Sequence, residues 1–181
     1  MSHRYTFFEE SNAIEDVYSD EAVEANIDAC RYLRQEQEIT EETVKKVHEI
    51  IMKQFNEEVS GDKKEKIRPG QYKDVKNFVI SGRGKKVFCP PEKVEEKMQA
   101  LLNITPQTGE EVIQWHATFE SIPPFRDGNG RVGRVLMYYH FREVLDQHPV
   151  VFHAGTRQGY YDLIDSCEML VDPEMTEKPL I

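Results

Sequence analysis

Apolar residues recur along this chain mostly at helical spacing. Val23, Ile27, Cys30 and Leu33 mark one amphipathic stretch. Val44, Val47, Ile51 and Phe55 mark a second, with Thr40 placed to open it. A polar run, "SGDKKEK", follows Val59 and reads as a loop. "NFVISGRGKKVFC" then breaks the helical rhythm: β-branched and aromatic residues flank a glycine-rich turn, the pattern of two short strands in a hairpin. "PPEKVEEKMQALL" restarts a helix, with proline in the first turn, where no backbone N–H is needed. Thr108, three residues before Glu111, fits a capping box that opens a helix carrying Val112, Trp115, His116 and Phe119. Pro123 and Pro124 end it. Val135, Leu136, Tyr139 and Phe141 predict a further, largely buried helix. Thr156 stands where it would cap a last helix with Tyr160, Tyr161, Ile164 and Cys167, and the tail "DPEMTEKPLI" reads as polar and loose. No internal repeat or low-complexity linker interrupts the pattern. Residues 1–181 therefore read as one all-α domain of roughly six or more helices with a small β-hairpin.

The chemistry concentrates where the two central helices meet, in "IPPFRDGNGRVGR" (Ile122–Arg134). A helix N-terminus presents unpaired N–H groups and a partial positive charge. Glycines just before it allow a ligand close to the backbone, and together they seat an anion, most often phosphate. Gly128 and Gly130 flank Asn129, and Arg131 and Arg134 follow on one helix face. Two guanidinium groups beside such a nest suit a di- or triphosphate. Asp127 makes sense next to phosphate if it holds a Mg²⁺ shared with phosphate oxygens. The stretch is not a P-loop, because no Lys-Ser/Thr follows the glycines, nor a dinucleotide fingerprint, because a helix precedes it. The competing interpretation is an ordinary helix–turn–helix with solvated arginines.

Composition narrows the partners. The chain has 181 residues, 39% hydrophobic and 31% charged, with a net charge of −10. That balance suits a soluble domain and argues against a general nucleic-acid binder or an anionic membrane surface as partner. One local exception is Asp62–Lys86, with nine Lys/Arg against three Asp/Glu. No apolar run is long enough to span a bilayer, and "MSHRYTFFEESNAIED" lacks the pattern of a secretory signal. The three cysteines, Cys30, Cys89 and Cys167, form no CxxC pair and read as small hydrophobes in a reducing, cytoplasmic setting.

"PFRDGNGRVGR" closely resembles the signature of the Fic, or Fido, family, His-Pro-Phe-x-Asp/Glu-Gly-Asn-Gly-Arg-x-x-Arg. Pro124, Phe125, Asp127, Gly128, Asn129, Gly130, Arg131 and Arg134 match it. "RPGQYK", "NFVIS" and "PPEKVEEKM" resemble the family's flap region and the helix after it, "WHATFESI" the helix leading into the signature, and "RQGYYDLI" the closing helix. The resemblance implies a Fic-like helical domain with a small β-hairpin flap, and transfer of AMP from ATP to a protein hydroxyl. It implies phosphate binding by Gly128, Asn129, Gly130, Arg131 and Arg134, Mg²⁺ at Asp127, a core anchor at Phe125, and Tyr160 or Tyr161 beside the base. The flap, with Val79, Ile80, Ser81 and Gly82, would dock a target protein by strand addition. The implied partners are ATP and that target protein, and a homodimer is compatible with the pattern.

Two positions decide the chemistry. Pro123 stands where the family's histidine base is expected, and loss of such a base typically costs about 10²–10⁴-fold in rate. His116 is the histidine to weigh as a substitute but reads as a packed helix histidine, and His140 lies too far along its helix. Near the N-terminus, "SNAIED" resembles the family's inhibitory motif: Ser11 and Glu15 match within a segment spanning 8–18, while Asp16 replaces the usual Gly or Asn. That resemblance implies Glu15 pairing with Arg134 and blocking the γ-phosphate position. The readings left open are an impaired adenylyltransferase, a catalytically silent nucleotide-binding regulator, and a Glu15-dependent remover of AMP.

Overall fold

The computed structural model describes residues 3–58, 67–81, 84–173 and 176–178, with side chains left aside at 3, 54–58, 79–81, 84–86 and 176–178. The fold is helical. α1 (His3–Ala13), α2 (Asp20–Glu36) and α3 (Glu41–Glu58) precede a small antiparallel pair, β1 (Phe78–Ser81) and β2 (Gly84–Val87). α4 (Pro91–Leu102), α5 (Gly109–Ser121) and α6 (Asn129–Tyr139) follow, then α7 (Arg157–Ser166) and β3 (Thr176–Lys178). Among the described residues no helix is long and apolar enough to cross a membrane.

Local chemistry sets most of the helix starts. Ser19 caps α2, its Oγ accepting from Ala22 N–H at 3.3 Å. Thr40 and Thr43 cap α3 reciprocally, each hydroxyl taking the other's backbone N–H. Thr108 caps α5 through Glu111 N–H at 3.2 Å, while the Glu111 carboxylate reaches past the cap to Gln107 N–H at 2.7 Å. This is a capping box with its second bond displaced by one residue. Thr156 does occupy the cap position of α7, but its side chain makes no cap; its hydroxyl donates to His153 O at 3.2 Å instead.

α6 is the axle. Arg131 through Tyr139 are all buried, and α1, α2, α3 and α5 pack against it. Phe7 and Phe8 on α1 each lie 5.1 Å from the Tyr138 ring, so α1 is anchored in the main core. A smaller cluster of Ile14, Ala117, Tyr160 and Ile164 pins the end of α1 between α5 and α7. Anchored at both places, α1 carries Ser11, and the turn after it Glu15, to the N-terminal half of α6. Cys30 and Cys89 are buried, Cys167 is half-buried, and all three are free thiols.

β1 and β2 pair antiparallel with Phe78 opposite Val87. The tail expected to be loose instead supplies β3, which pairs with β2 and places Thr176 opposite Val87. The reason is the edge itself: β2 has N–H and C=O groups turned away from β1, and an extended backbone can satisfy them whatever its side chains.

Thr108→Ala removes the cap of α5 without touching the core. The expected loss is about 1 kcal/mol of unfolding free energy, read from urea denaturation with an unchanged slope.

Candidate functional site

The loop between α5 and α6 is held in shape by its own residues. Asn129 clamps it from both sides: its Oδ1 accepts from Phe125 N–H at 2.8 Å and its Nδ2 donates to Phe125 O at 2.9 Å. The Asn129 side chain is thus committed to the loop, and only its backbone can face a phosphate. Phe125 is fully buried and stacks on His48, centroids 3.8 Å apart and rings 4° from parallel. His48 ties the loop to the segment before the sheet: its Nδ1 accepts from Gly70 N–H at 2.9 Å and its Nε2–H donates to Asp127 O at 3.1 Å. These two bonds require the neutral ring, and burial lowers its pKa to about 4. Gly128 has φ +73, and a Cβ there would meet Met52 Sδ at 2.6 Å, so both conformation and space call for glycine.

The helix start that follows is the anion seat, and it already has an anion in it. Glu15 lies in the turn just after α1 and pairs with Arg134 through Nη2 and with Arg131 through Nε at 3.3 Å. A Cβ at Gly130 would come to 2.1 Å of Glu15 Oε1; the missing side chain is what admits the carboxylate. Arg134 is 2% exposed, and Ser11 holds it twice, Oγ accepting from Nε at 2.8 Å and the backbone carbonyl from Nη2 at 2.9 Å. Tyr160 completes the shell, its hydroxyl 3.2 Å from Nη1 and 2.9 Å from His116 Nε2. Burial opposes the guanidinium charge, but Glu15, Tyr160 and Glu120 around it raise its pKa above the ordinary value. Tyr161, the other aromatic expected here, is exposed.

Pro123 is buried at the turn where a base is expected. No nearby histidine replaces it. His116 is fully buried against Tyr160, and burial followed by the charge of Arg134 drives its pKa down to about 3. It is the packed helix histidine that its spacing allowed. His48 has both nitrogens engaged with backbone. Asp127 is exposed beside the seat with Oδ1 on Gly128 N–H at 2.7 Å. Among the described residues no three His, Cys, Asp or Glu side chains gather to hold a metal alone. A single carboxylate next to a phosphate seat suits Mg²⁺, which keeps waters and completes its shell with substrate oxygens.

Four residues of the site carried no motif. Lys73, 3% exposed, straps the loop with its backbone N–H on Pro124 O at 2.8 Å and its ammonium on Ile122 O at 3.3 Å; burial lowers its pKa to about 8. Asn77 donates to Phe125 O at 3.0 Å and so ties the root of β1 to the loop. Glu120 has a buried Oε1 without a partner, and burial pushes its carboxyl up to about 7. His48 is the fourth. Lys73, Asn77 and Glu120 lie within "RPGQYK", "NFVIS" and "FESI", which was the one signal available for them, while His48 lies in none of these runs. Of the strand residues named for docking, Val79, Ile80 and Ser81 lie on β1 with their side chains outside the described residues, and Gly82 lies outside them altogether.

Comparison with known proteins places this geometry. A model of the Fic/DOC family matches residues 38–141. A Fic domain containing signaling protein from Bacteroides thetaiotaomicron superposes with a TM-score of 0.73 at 20% identity, covering 91% of this chain and 71% of that one. A Fic family protein from Desulfovibrio desulfuricans gives a TM-score of 0.58 at 22% identity over 78% of this chain and 48% of that one. Fic-1 from C. elegans gives 0.57 at 17% identity, with 89% and 54% covered. The chain thus spans about half the length of the latter two. No curated protein matches it significantly.

His48 has a testable proton linkage. Its folded pKa lies below its ordinary one, so its contribution is fully present above about pH 6.5 and is lost as pH falls toward about 4. His48→Gln should reduce the slope of unfolding free energy against pH in that window by at most roughly 1.4 kcal/mol per pH unit, measured by urea titration at a series of pH values.

Proposed function

The chain belongs to the Fic/DOC family, and on that premise we propose that it is a protein adenylyltransferase fold with a built ATP seat, closed by Glu15 and impaired in AMP transfer by Pro123. The observation that carries this reading is the Glu15 carboxylate between Arg131 and Arg134 at the start of α6. Two buried guanidiniums at a helix N-terminus demand an anion, and a polyphosphate supplies one when Glu15 withdraws. Arg134, Arg131 and the backbone of Gly128–Gly130 would bind the phosphates. Asp127 would hold Mg²⁺, which would offset the phosphate charge. The β1–β2 pair would act as the flap that takes a target strand.

Transfer itself requires a target hydroxyl to attack the α-phosphorus, pyrophosphate to leave, and the hydroxyl proton to find an acceptor. The first two demands fall on groups present here. The third falls on Pro123, which can accept nothing. Because His48 and His116 are both buried, neutral and engaged, a second reading gains support: a nucleotide-binding regulator that turns over too slowly to matter.

Calorimetry with ATP and Mg²⁺ tests the seat. Glu15→Gly should bind at least about tenfold more tightly than wild type, because the competing carboxylate is gone. Arg134→Ala in the Glu15→Gly background should abolish that gain. Unchanged ATP affinity in Glu15→Gly would remove the seat assignment.

Labelled ATP tests the centre. Pro123→His with Glu15→Gly should raise AMP incorporation into protein by roughly 10²–10⁴ over Glu15→Gly alone. Equal incorporation by the two would show that Pro123 is not what limits the chemistry.

A further inference from the structure

Two glycines three residues apart, Gly130 and Gly133, leave one face of α6 bare, and a carboxyl group comes down on each. Glu15 lies over the first. Glu120, in the last turn of α5, lies over the second: a Cβ at Gly133 would come to 2.6 Å of its Oε1. Arg134 follows on the same side of the helix, its Nη1 2.8 Å from the Cβ position of Gly130.

The two carboxyl groups are engaged differently. Glu15 pairs with Arg131 and Arg134, whereas Glu120 Oε1 is shut off from water and has no hydrogen-bond partner among the described residues. His116 Nδ1, 2.9 Å from the Cβ position of Gly133, is a second such atom. Buried polar atoms are nearly always paired, so two orphans converging on one bare glycine need a reason. A neutral imidazole suits a carboxyl that changes protonation, because one tautomer accepts from the acid and the other donates to the carboxylate.

The surroundings of Glu120 set when that change occurs. Burial, the largest influence, favours the neutral acid; Arg134 on α6 favours the carboxylate, and Glu15, from the turn after α1, opposes it. The carbonyl end of α5 opposes it too. The balance places the carboxyl at about 7. The other groups here do not titrate in that range. Burial keeps His116 neutral down to about 3 and keeps the Tyr160 hydroxyl on α7 protonated.

Arg134 is buried on the central helix, so its charge must be met by an anion. Glu15 meets it in this structure. Once Glu15 withdraws, Glu120 is the remaining acid whose charge Arg134 feels. We propose that Glu120 is the standby counter-ion of Arg134, holding a proton while Glu15 or phosphate occupies the seat and releasing it when the seat empties. The phosphate half of this proposal rests on the nucleotide seat proposed above; the Glu15 half does not.

¹³C spectra of the Glu120 δ-carbon, recorded against pH on the full chain, read the proton directly. The midpoint should lie near pH 7 in wild type. It should fall by about one pH unit or more in Glu15→Gly and in Glu15→Gln, where Arg134 has lost its nearer partner. An unchanged midpoint in both variants would overturn the proposal. Calorimetry with ATP and Mg²⁺ in buffers of different ionisation heat then counts protons. Glu15→Gly should take up more protons per ATP at about pH 7 than the same chain carrying Glu120→Gln as well, and its affinity should fall more steeply as pH rises above the Glu120 midpoint, by up to about tenfold per pH unit. Protons on ATP itself cancel in that comparison. Equal proton uptake by two variants that both bind would also overturn the proposal. If neither binds ATP, the seat reading fails, and the Glu120 midpoints still decide this one.

Discussion

Everything at the candidate site follows from burying one arginine. Arg134 sits on the central helix with 2% exposure, and a guanidinium removed from water must be surrounded by acceptors and an opposing charge. Ser11, Glu15 and Tyr160 meet that demand from α1, the turn after it, and α7. The two elements outermost in sequence are thereby tied to the middle of the fold.

The loop before α6 is held in shape by packing and hydrogen bonds. Asn129 holds both polar atoms of the Phe125 backbone, His48 stacks on the Phe125 ring, Lys73 donates to the Ile122 and Pro124 carbonyls before it, and Asn77 donates to the Phe125 carbonyl as well. Fully burying a phenylalanine contributes about 1.5–3 kcal/mol, enough to keep the loop seated. Two glycines then remove side chains at the points of closest approach, Gly128 against Met52 and Gly130 against Glu15. The loop is therefore preorganised by its own contacts. Pro123 sits inside the same scaffold, and the two nearest histidines are already committed to packing.

Much of this was legible from residues alone. Helical spacing located the central helices, and Thr108 and Thr40 marked their starts. The signature from Phe125 to Arg134 named the anion seat, and Ser11 with Glu15 named its occupant. What escaped were groups that act through contact: His48, Lys73, Asn77 and Glu120 have no spacing that distinguishes them from ordinary helix or loop residues. The Asn129 side chain also serves the loop, a role that no spacing announced. Thr156 was read as a cap and is one in position only. The tail looked loose because its polar composition has no apolar face to bury, yet strand pairing depends on backbone groups and an available edge.

By itself the sequence determined the helical character, the glycine turn before α6 and the proline at position 123, because periodicity, glycine placement and residue type are local properties of the chain. Tertiary structure alone decided that Glu15 lies between two arginines more than a hundred residues away, and that His116 and His48 are neutral and engaged. Those outcomes depend on burial and on which helix packs against which, and neither is encoded at any single position.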